Sequence, residues 1–250
     1  MMPLGALQPP PAVVGGPWSP VGQAWLVALY DAAEIGPSDL VGGELARWPD
    51  TSGRGNHALE TAEASRPDYT ASAPLANSGP VVSYSDADLG KRGVLTPQIS
   101  TSRVYVCAYY QDGIDASFDG FPTLFSADGD QFGAPRLSGN RFKSEFDTFQ
   151  DGQFADAYRI NGGTESEDIL PMPLSLLVGD ARLSSFTYAF AIGYRRTEDD
   201  RMWDGGIRFI AFTDGTENTA DRERLEGWIA HEAGIAASLA VGHPYRDAPP

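Results

Sequence analysis

Short apolar runs separated by glycine and proline dominate the chain, the pattern of many strands joined by frequent turns. Residues 24–30 (AWLVALY) are almost continuously apolar, as a strand buried on both faces requires. Further strands are expected at residues 81–84, 104–110 (VYVCAYY), 121–125, 141–149, 154–160, 174–178, 186–194 and 207–212. These runs are rich in Val, Ile, Tyr and Phe, which fit a pleated, half-buried surface. In residues 141–149 (RFKSEFDTF), Phe142 and Phe146 keep only an imperfect alternation, so the strand is better defined than its register. Near the end the period changes. Leu225, Trp228, Ile229 and Ala233 fall on one helical face, with Trp228 expected to point inward. Asn218 is the expected N-cap, with Asp221 completing a capping-box-like pair, and Gly234 the C′ residue that ends the helix. No internal repeat of fixed period is visible.

The chain has 250 residues, within the span of about 200–250 that an all-β sandwich fills as one domain. Its first 22 residues stand apart: Pro9, Pro10 and Pro11 sit among glycine and small residues, which suits an extended, polyproline-like arm. The expected organisation is therefore an N-terminal arm over residues 1–22 and a single domain over residues 23–250. The arm is either a loose tail or a peg that docks on a neighbouring subunit. No basic segment followed by an apolar helix marks a secretory signal, and no stretch reaches the roughly 18 apolar residues of a membrane helix.

Charge excludes more. Acidic residues number 34 against 18 basic ones, a formal net charge of −16. Nucleic acids and anionic membranes would repel such a chain, because binding to them rests on Lys and Arg. Cys107 is the only cysteine, so no internal disulfide forms, and its apolar strand setting suits a small buried hydrophobe.

Two segments carry a resemblance. Residues 47–58 read RWPDTSGRGNHA and are followed by RPDY at 66–69, while residues 225–245 read LEGWIAHEAGIAASLAVGHPY. Together they resemble the concanavalin A-like lectin/glucanase superfamily, specifically the laminin-G-like jelly rolls of bacterial surface proteins and bacteriophage virion proteins. Trp48, Asp50, Ser52, Gly53, Gly55 and Asn56 match an early W-x-D-x-S-G-x-G-N motif. Glu226, Gly227, Trp228, Ile229 and Ala230, then Gly242, His243, Pro244 and Tyr245, are similar to a late helix and its G-H-P-Y ending. The resemblance implies an all-β jelly-roll β-sandwich with one C-terminal amphipathic α-helix packed on it. Such folds host lectins, hydrolases and inert modules alike, so function must come from the site.

The motif residues themselves read mostly as structure. Gly53 and Gly55 allow positive φ in a tight loop, Asp50 and Asn56 can make Asx turns, and Trp48 would anchor the loop on the core. A sugar or ion site in the same loop is the functional alternative. His243, Pro244 and Tyr245 read as a C-terminal clasp, with Pro244 forcing extended chain.

Catalytic patterns are weak. Glycoside hydrolysis needs two carboxylates about 5–9 Å apart, which jelly-roll glucanases place at alternate positions of one strand. Glu145 and Asp147 in SEFDTFQ share a face, but the third position is filled by Phe149 or Gln150, so no complete catalytic strand is formed. His57, His231 and His243 lack zinc-ligand spacing. Asp128 and Asp130, or the loop from Asp112 to Asp119, offer hard oxygen ligands, and calcium is the speculative cofactor. Glu198, Asp199 and Asp200 read as a solvated turn. No G-x-S-x-G elbow or glycine-rich phosphate loop occurs.

The expectation is a non-catalytic virion surface protein, a fibre, spike or decoration protein, that recognises cell-surface carbohydrate. Tyr109, Tyr110, Tyr188, Tyr194 and Trp203 are the candidate sugar-stacking rings, against the alternative that each packs in the core or on a strand face. The expected partners are other virion proteins reached through the arm, and cell-surface glycans, in a homo-oligomer or larger assembly. A purely structural cement or decoration protein, and a bacterial carbohydrate-binding adhesin, are the competing readings.

Overall fold

The structure is a computed structural model that describes residues 18–85, 93–111, 124–127, 136–138, 141–143, 158–166, 172–180, 186–193 and 203–250. The described residues form antiparallel sheets and one α-helix, so the chain is all-β.

Strands β1 (Leu26–Asp31), β2 (Leu40–Val41), β3 (Glu44–Leu45), β4 (Arg47–Trp48) and β5 (Ala58–Leu59) come first. Next are β6 (Asp68–Ala73), β7 (Gly79–Tyr84), β8 (Val94–Leu95), β9 (Ile99–Thr101) and β10 (Arg103–Tyr110). Then follow β11 (Phe125–Ala127), β12 (Arg136–Ser138), β13 (Arg141–Lys143), β14 (Tyr158–Ile160) and β15 (Glu165–Ser166). The set ends with β16 (Ser175–Asp180), β17 (Phe186–Tyr188), β18 (Phe190–Ile192) and β19 (Gly205–Thr213), before the helix α1 (Thr219–Glu232). A 10-stranded sheet runs β15-β14-β16-β10-β19-β7-β6-β3-β2, with β1 also on β19. A second, 5-stranded sheet runs β11-β18-β8-β5-β4.

The large sheet is buried on both faces because β10 and β19 alternate two apolar sets. Val104, Val106, Ala108, Ile210 and Phe212 face the second sheet, where Trp48, Val94, Phe125 and Phe190 close one core. Tyr105, Cys107, Phe209 and Ala211 face the other way, onto Leu225, Ile229 and Ala230 of α1 and its C-cap Ala233. Cys107 is fully buried, and burial pushes its thiol up to about 12, so it is inert at neutral pH. The register between β10 and β19 shifts at Cys107/Ala108, which leaves Arg208 opposite no residue of β10. Arg208 turns that bulge to use by pairing with Asp31, at 2.7 Å between two buried side chains.

Helix α1 starts as its sequence predicts: the Asn218 side chain accepts from the Asp221 N–H at 3.0 Å, and Gly234 follows the end at φ +69°. Trp228 packs inward as expected, without being fully enclosed. It is half-buried at the helix flank, its ring edge-on to Phe209 at 5.7 Å, because Leu225 and Ile229 occupy the central line against the sheet. Among the described residues no helix is long and apolar enough to cross a membrane.

One expected strand is two. Residues 186–188 pair with β9, whereas 190–192 pair with β8 and β11, so the chain changes sheets at Ala189. Thr96 fixes the change: its N–H donates to the Phe190 carbonyl and its Oγ1 accepts from the Phe190 N–H, both at 2.8 Å. The expected strands at 121–125, 141–149 and 154–160 are described only over residues 124–125, where the strand itself starts at Phe125, over residues 141–143 and over residues 158–160, and the rest of each lies outside the described residues.

Candidate functional site

Strand β1 lies against the second half of β19, while β7 takes the first half, so one edge of β1 has no strand partner. A bare edge leaves backbone donors and acceptors unpaired, which is costly in a packed sheet. The 48–56 loop covers that edge with side chains and a single antiparallel bridge between Tyr30 and Asp50. The Asp50 carboxylate accepts from the Leu29 N–H and the Ser52 N–H through Oδ1, both at 2.9 Å. Its Oδ2 accepts from the Ser52 hydroxyl at 2.9 Å and the Asn56 N–H at 2.8 Å. The Thr51 N–H donates to the Leu29 carbonyl at 2.8 Å. The Asn56 amide donates to the Val27 carbonyl at 2.9 Å, and the Arg54 guanidinium to the carbonyls of Leu26 at 2.9 Å and Ala24 at 2.5 Å.

The rest of the motif holds this loop in shape. Gly53 and Gly55 have φ of +89° and +76°, a backbone that side-chain-bearing residues adopt rarely. Trp48 is fully buried with its ring 5.9 Å from that of Tyr30. The Tyr30 hydroxyl donates to the Asn56 carbonyl. Burial pushes that phenol well above its usual range, and the Asp50 carboxylate adds to the effect, so Tyr30 stays a donor. His57 Nδ1 accepts from the Asp50 N–H at 2.9 Å, which places the ring proton on Nε2.

On the solvent side of the loop lies an open hollow of about 340 Å³, lined by Val21, Gly22, Gln23, Ser52, Gly53 and Arg54. Among the described residues no carboxylate lines it. Arg47, Arg103, Arg159, Arg208, Arg222 and Arg224 are each within ion-pair distance of a carboxylate, whereas the Arg54 guanidinium donates to two neutral carbonyls. Of the residues that line this hollow, Ser52 and Gly53 belong to the motif named from sequence, whereas Val21, Gly22, Gln23 and Arg54 were not singled out. Arg54 occupies a variable position of the motif, and Val21 and Gln23 flank the expected arm boundary, so nothing in their spacing marked them.

The late motif builds a second clasp, closed throughout. His243 Nε2 donates to Glu226 Oε2 at 3.1 Å, both side chains being buried, while His243 Nδ1 accepts from the Tyr245 N–H at 3.3 Å. His231 Nε2 donates to the Tyr245 carbonyl at 2.9 Å. Two glycines make room for it. A Cβ on Gly227 would lie 2.4 Å from Tyr245, and one on Gly162 would lie 2.6 Å from the His243 ring. Pro244 is exposed at the turn between those two anchors.

A third polar cluster sits under the start of α1. Glu217 Oε1 accepts from Arg103 at 2.7 Å, Thr213 Oγ1 at 2.7 Å and the Tyr105 hydroxyl at 3.1 Å. Burial first, then the Glu217 carboxylate, raise the Tyr105 phenol, which keeps it a donor in the network.

The candidate stacking rings are corrected in part. Trp203 is fully buried with its Nε1–H on the Tyr109 carbonyl at 3.0 Å, and Tyr109 is only 6% exposed, so neither offers a face to a sugar. Both serve the core because Gly205, at φ +151°, brings β19 against β10 there. Tyr110 and Tyr188 are half-buried and packed against the core between the sheets. Tyr194 lies outside the described residues. So do Asp128 and Asp130, the loop 112–119, Glu145, Asp147 and the run 198–200. Among the described residues no group of three His, Cys, Asp or Glu side chains is arranged to hold a metal ion.

Comparison with family models, curated proteins and solved structures gives no match. The functional reading therefore rests on the geometry of the two clasps and on the chemistry of the hollow beside the first.

Proposed function

We propose that this chain is a non-catalytic jelly-roll module on the surface of a virion or virion-like particle, a fibre, spike or decoration protein that recognises cell-surface carbohydrate. The observation that carries the reading is the hollow at the 48–56 loop. It lies in the segment that bears the resemblance, it is open to solvent, and it is lined by a cation, an amide, a small apolar side chain and bare glycine backbone. Its volume of 340 Å³ is at the small end of ligand sites, which typically run about 300–1,000 Å³, as suits a terminal sugar rather than a long chain. The acidic surface serves solubility and spacing in an assembly.

Burial of Tyr109 and Trp203 favours a second reading, a decoration protein that cements a shell and binds no glycan. A glycan array probed with the purified protein, in calcium and again in EDTA, separates the two. Saturable binding to a defined sugar supports recognition, and a blank array in both buffers supports cement. Mass spectrometry of particles purified from the source culture tests what the readings share: the chain is expected in the particles at fixed stoichiometry. Recovery only in the soluble fraction would overturn both.

A further inference from the structure

We infer that the hollow at the 48–56 loop is selective for a carboxylated pyranose, read by Arg54 and Gln23 without calcium. This inference rests on the carbohydrate reading above and names the sugar class of the same site.

The charge argument comes first. In a chain of net charge −16, a solvent-facing hollow without a carboxylate in its lining is a local exception. The nearest acid in the loop, Asp50, is buried and turned inward, its two oxygens shared among four donors. Arg54 is exposed, and its two bonds to the carbonyls of Ala24 and Leu26 fix the plane of the guanidinium without neutralising it. A guanidinium carries five N–H donors, so the donors of Nη1 are left for a ligand. A planar cation held in one orientation suits a carboxylate, which it can meet with two parallel bonds.

The remaining lining fits a sugar ring. The side-chain amide of Gln23 makes no hydrogen bond among the described residues and can both donate to and accept from ring hydroxyls. Val21, 50% exposed, offers an apolar patch for the C–H face of a pyranose. At Gly22 and Gly53 nothing lies within 4 Å of where a Cβ would be, so a ligand can approach the backbone closely. Among the described residues the lining gives calcium no carboxylate, and Ser52 already gives its hydroxyl to Asp50, so the charged group that reads the ligand is the Arg54 cation.

The test is an NMR titration of the ¹⁵N-labelled chain with methyl β-glucuronide, methyl β-glucoside and acetate, following the Arg54 Nε–H and the Gln23 side-chain amide. The glucuronide is expected to shift both signals, unchanged by EDTA, and to bind about tenfold more tightly than the glucoside, the factor of one charge-assisted contact. Val21→Glu places a carboxylate at the exposed rim and is expected to weaken the glucuronide about tenfold while leaving Tm unchanged. Gln23→Ala is expected to weaken both sugars equally. Equal binding of glucuronide and glucoside would overturn the carboxylate selectivity and leave the carbohydrate reading standing. Equal binding of acetate and glucuronide would overturn the saccharide part. No shift at Arg54 alongside a positive array, or a Val21→Glu chain that binds as before, would place recognition elsewhere and overturn the inference. No shift together with a blank array would remove the carbohydrate reading as well.

Discussion

The two clasps solve the same problem, holding a non-regular segment against a sheet or helix, with opposite chemistry. The 48–56 loop gathers neutral donors around one buried carboxylate and reaches back to the carbonyls of β1 with Arg54 and Asn56. The C-terminal clasp instead seats rings in glycine notches, His243 at Gly162 and Tyr245 at Gly227, and pairs His243 with Glu226. The first clasp has an outward side with a cation left over. The second turns its polar groups inward, His243 to Glu226 and His231 to the Tyr245 carbonyl. A segment that shapes a fold can thus also carry recognition when its backbone bonds are made by one side only.

Substitution at Asp50 should break the first clasp most. Asp50→Ala removes the acceptor for four donors, three of them on the buried residues Leu29 and Ser52, and is expected to cost about 3–5 kcal/mol in urea unfolding. A loss below 1 kcal/mol would mean that water replaces the carboxylate and the clasp is dispensable. In the second clasp, Gly162→Ala combines a φ of +68° with the clash on His243, and is expected to cost about 2–4 kcal/mol. Gly227→Ala should fall in the same range through Tyr245 alone.

The buried acid of β1 itself, Asp31, sharpens the contrast, because it is paired with a cation. Burial lifts the Asp31 carboxyl from an ordinary 3.8 to about 6, and Arg208 offsets only part of that rise. The folded chain therefore holds this proton more tightly than the unfolded chain does. The contribution is fully present below about pH 4 and is lost as pH rises through 6. A shift of about 2 units corresponds to roughly 3 kcal/mol, and Asp31→Asn is expected to remove that part of the difference between unfolding free energies at pH 4 and pH 7. An unchanged pH profile in Asp31→Asn would contradict it. The smallest expected effect is at the exposed rim of the second clasp: Arg224→Ala loses a 3.3 Å bond to the Tyr245 hydroxyl and should cost under about 1 kcal/mol.

Legibility in the sequence followed how local the cause was. The cap at Asn218, the stop at Gly234 and the positive φ of Gly53 and Gly55 depend on neighbours a few residues away, and all were readable. Strands β10, β16 and β19 were readable because both faces are apolar. Strand β6 (DYTASA) was not, since its polar residues carry no alternation and pairing with β7 holds it. The bulge that isolates Arg208, the pairing of His243 with Glu226 and the burial of Trp203 all depend on residues brought together from distant segments. For the same reason nothing in the 48–56 motif marked Val21 or Gln23, which line the hollow only because residues 21–23 lie beside the loop.

Hydrogen–deuterium exchange with and without saturating methyl β-glucuronide tests most directly that the first clasp is the recognition surface and the second is not. Protection is expected in peptides covering residues 20–27 and 50–57, with residues 158–166 and 224–246 unchanged. Protection at the C-terminal clasp, or a uniform absence of protection, would contradict the account.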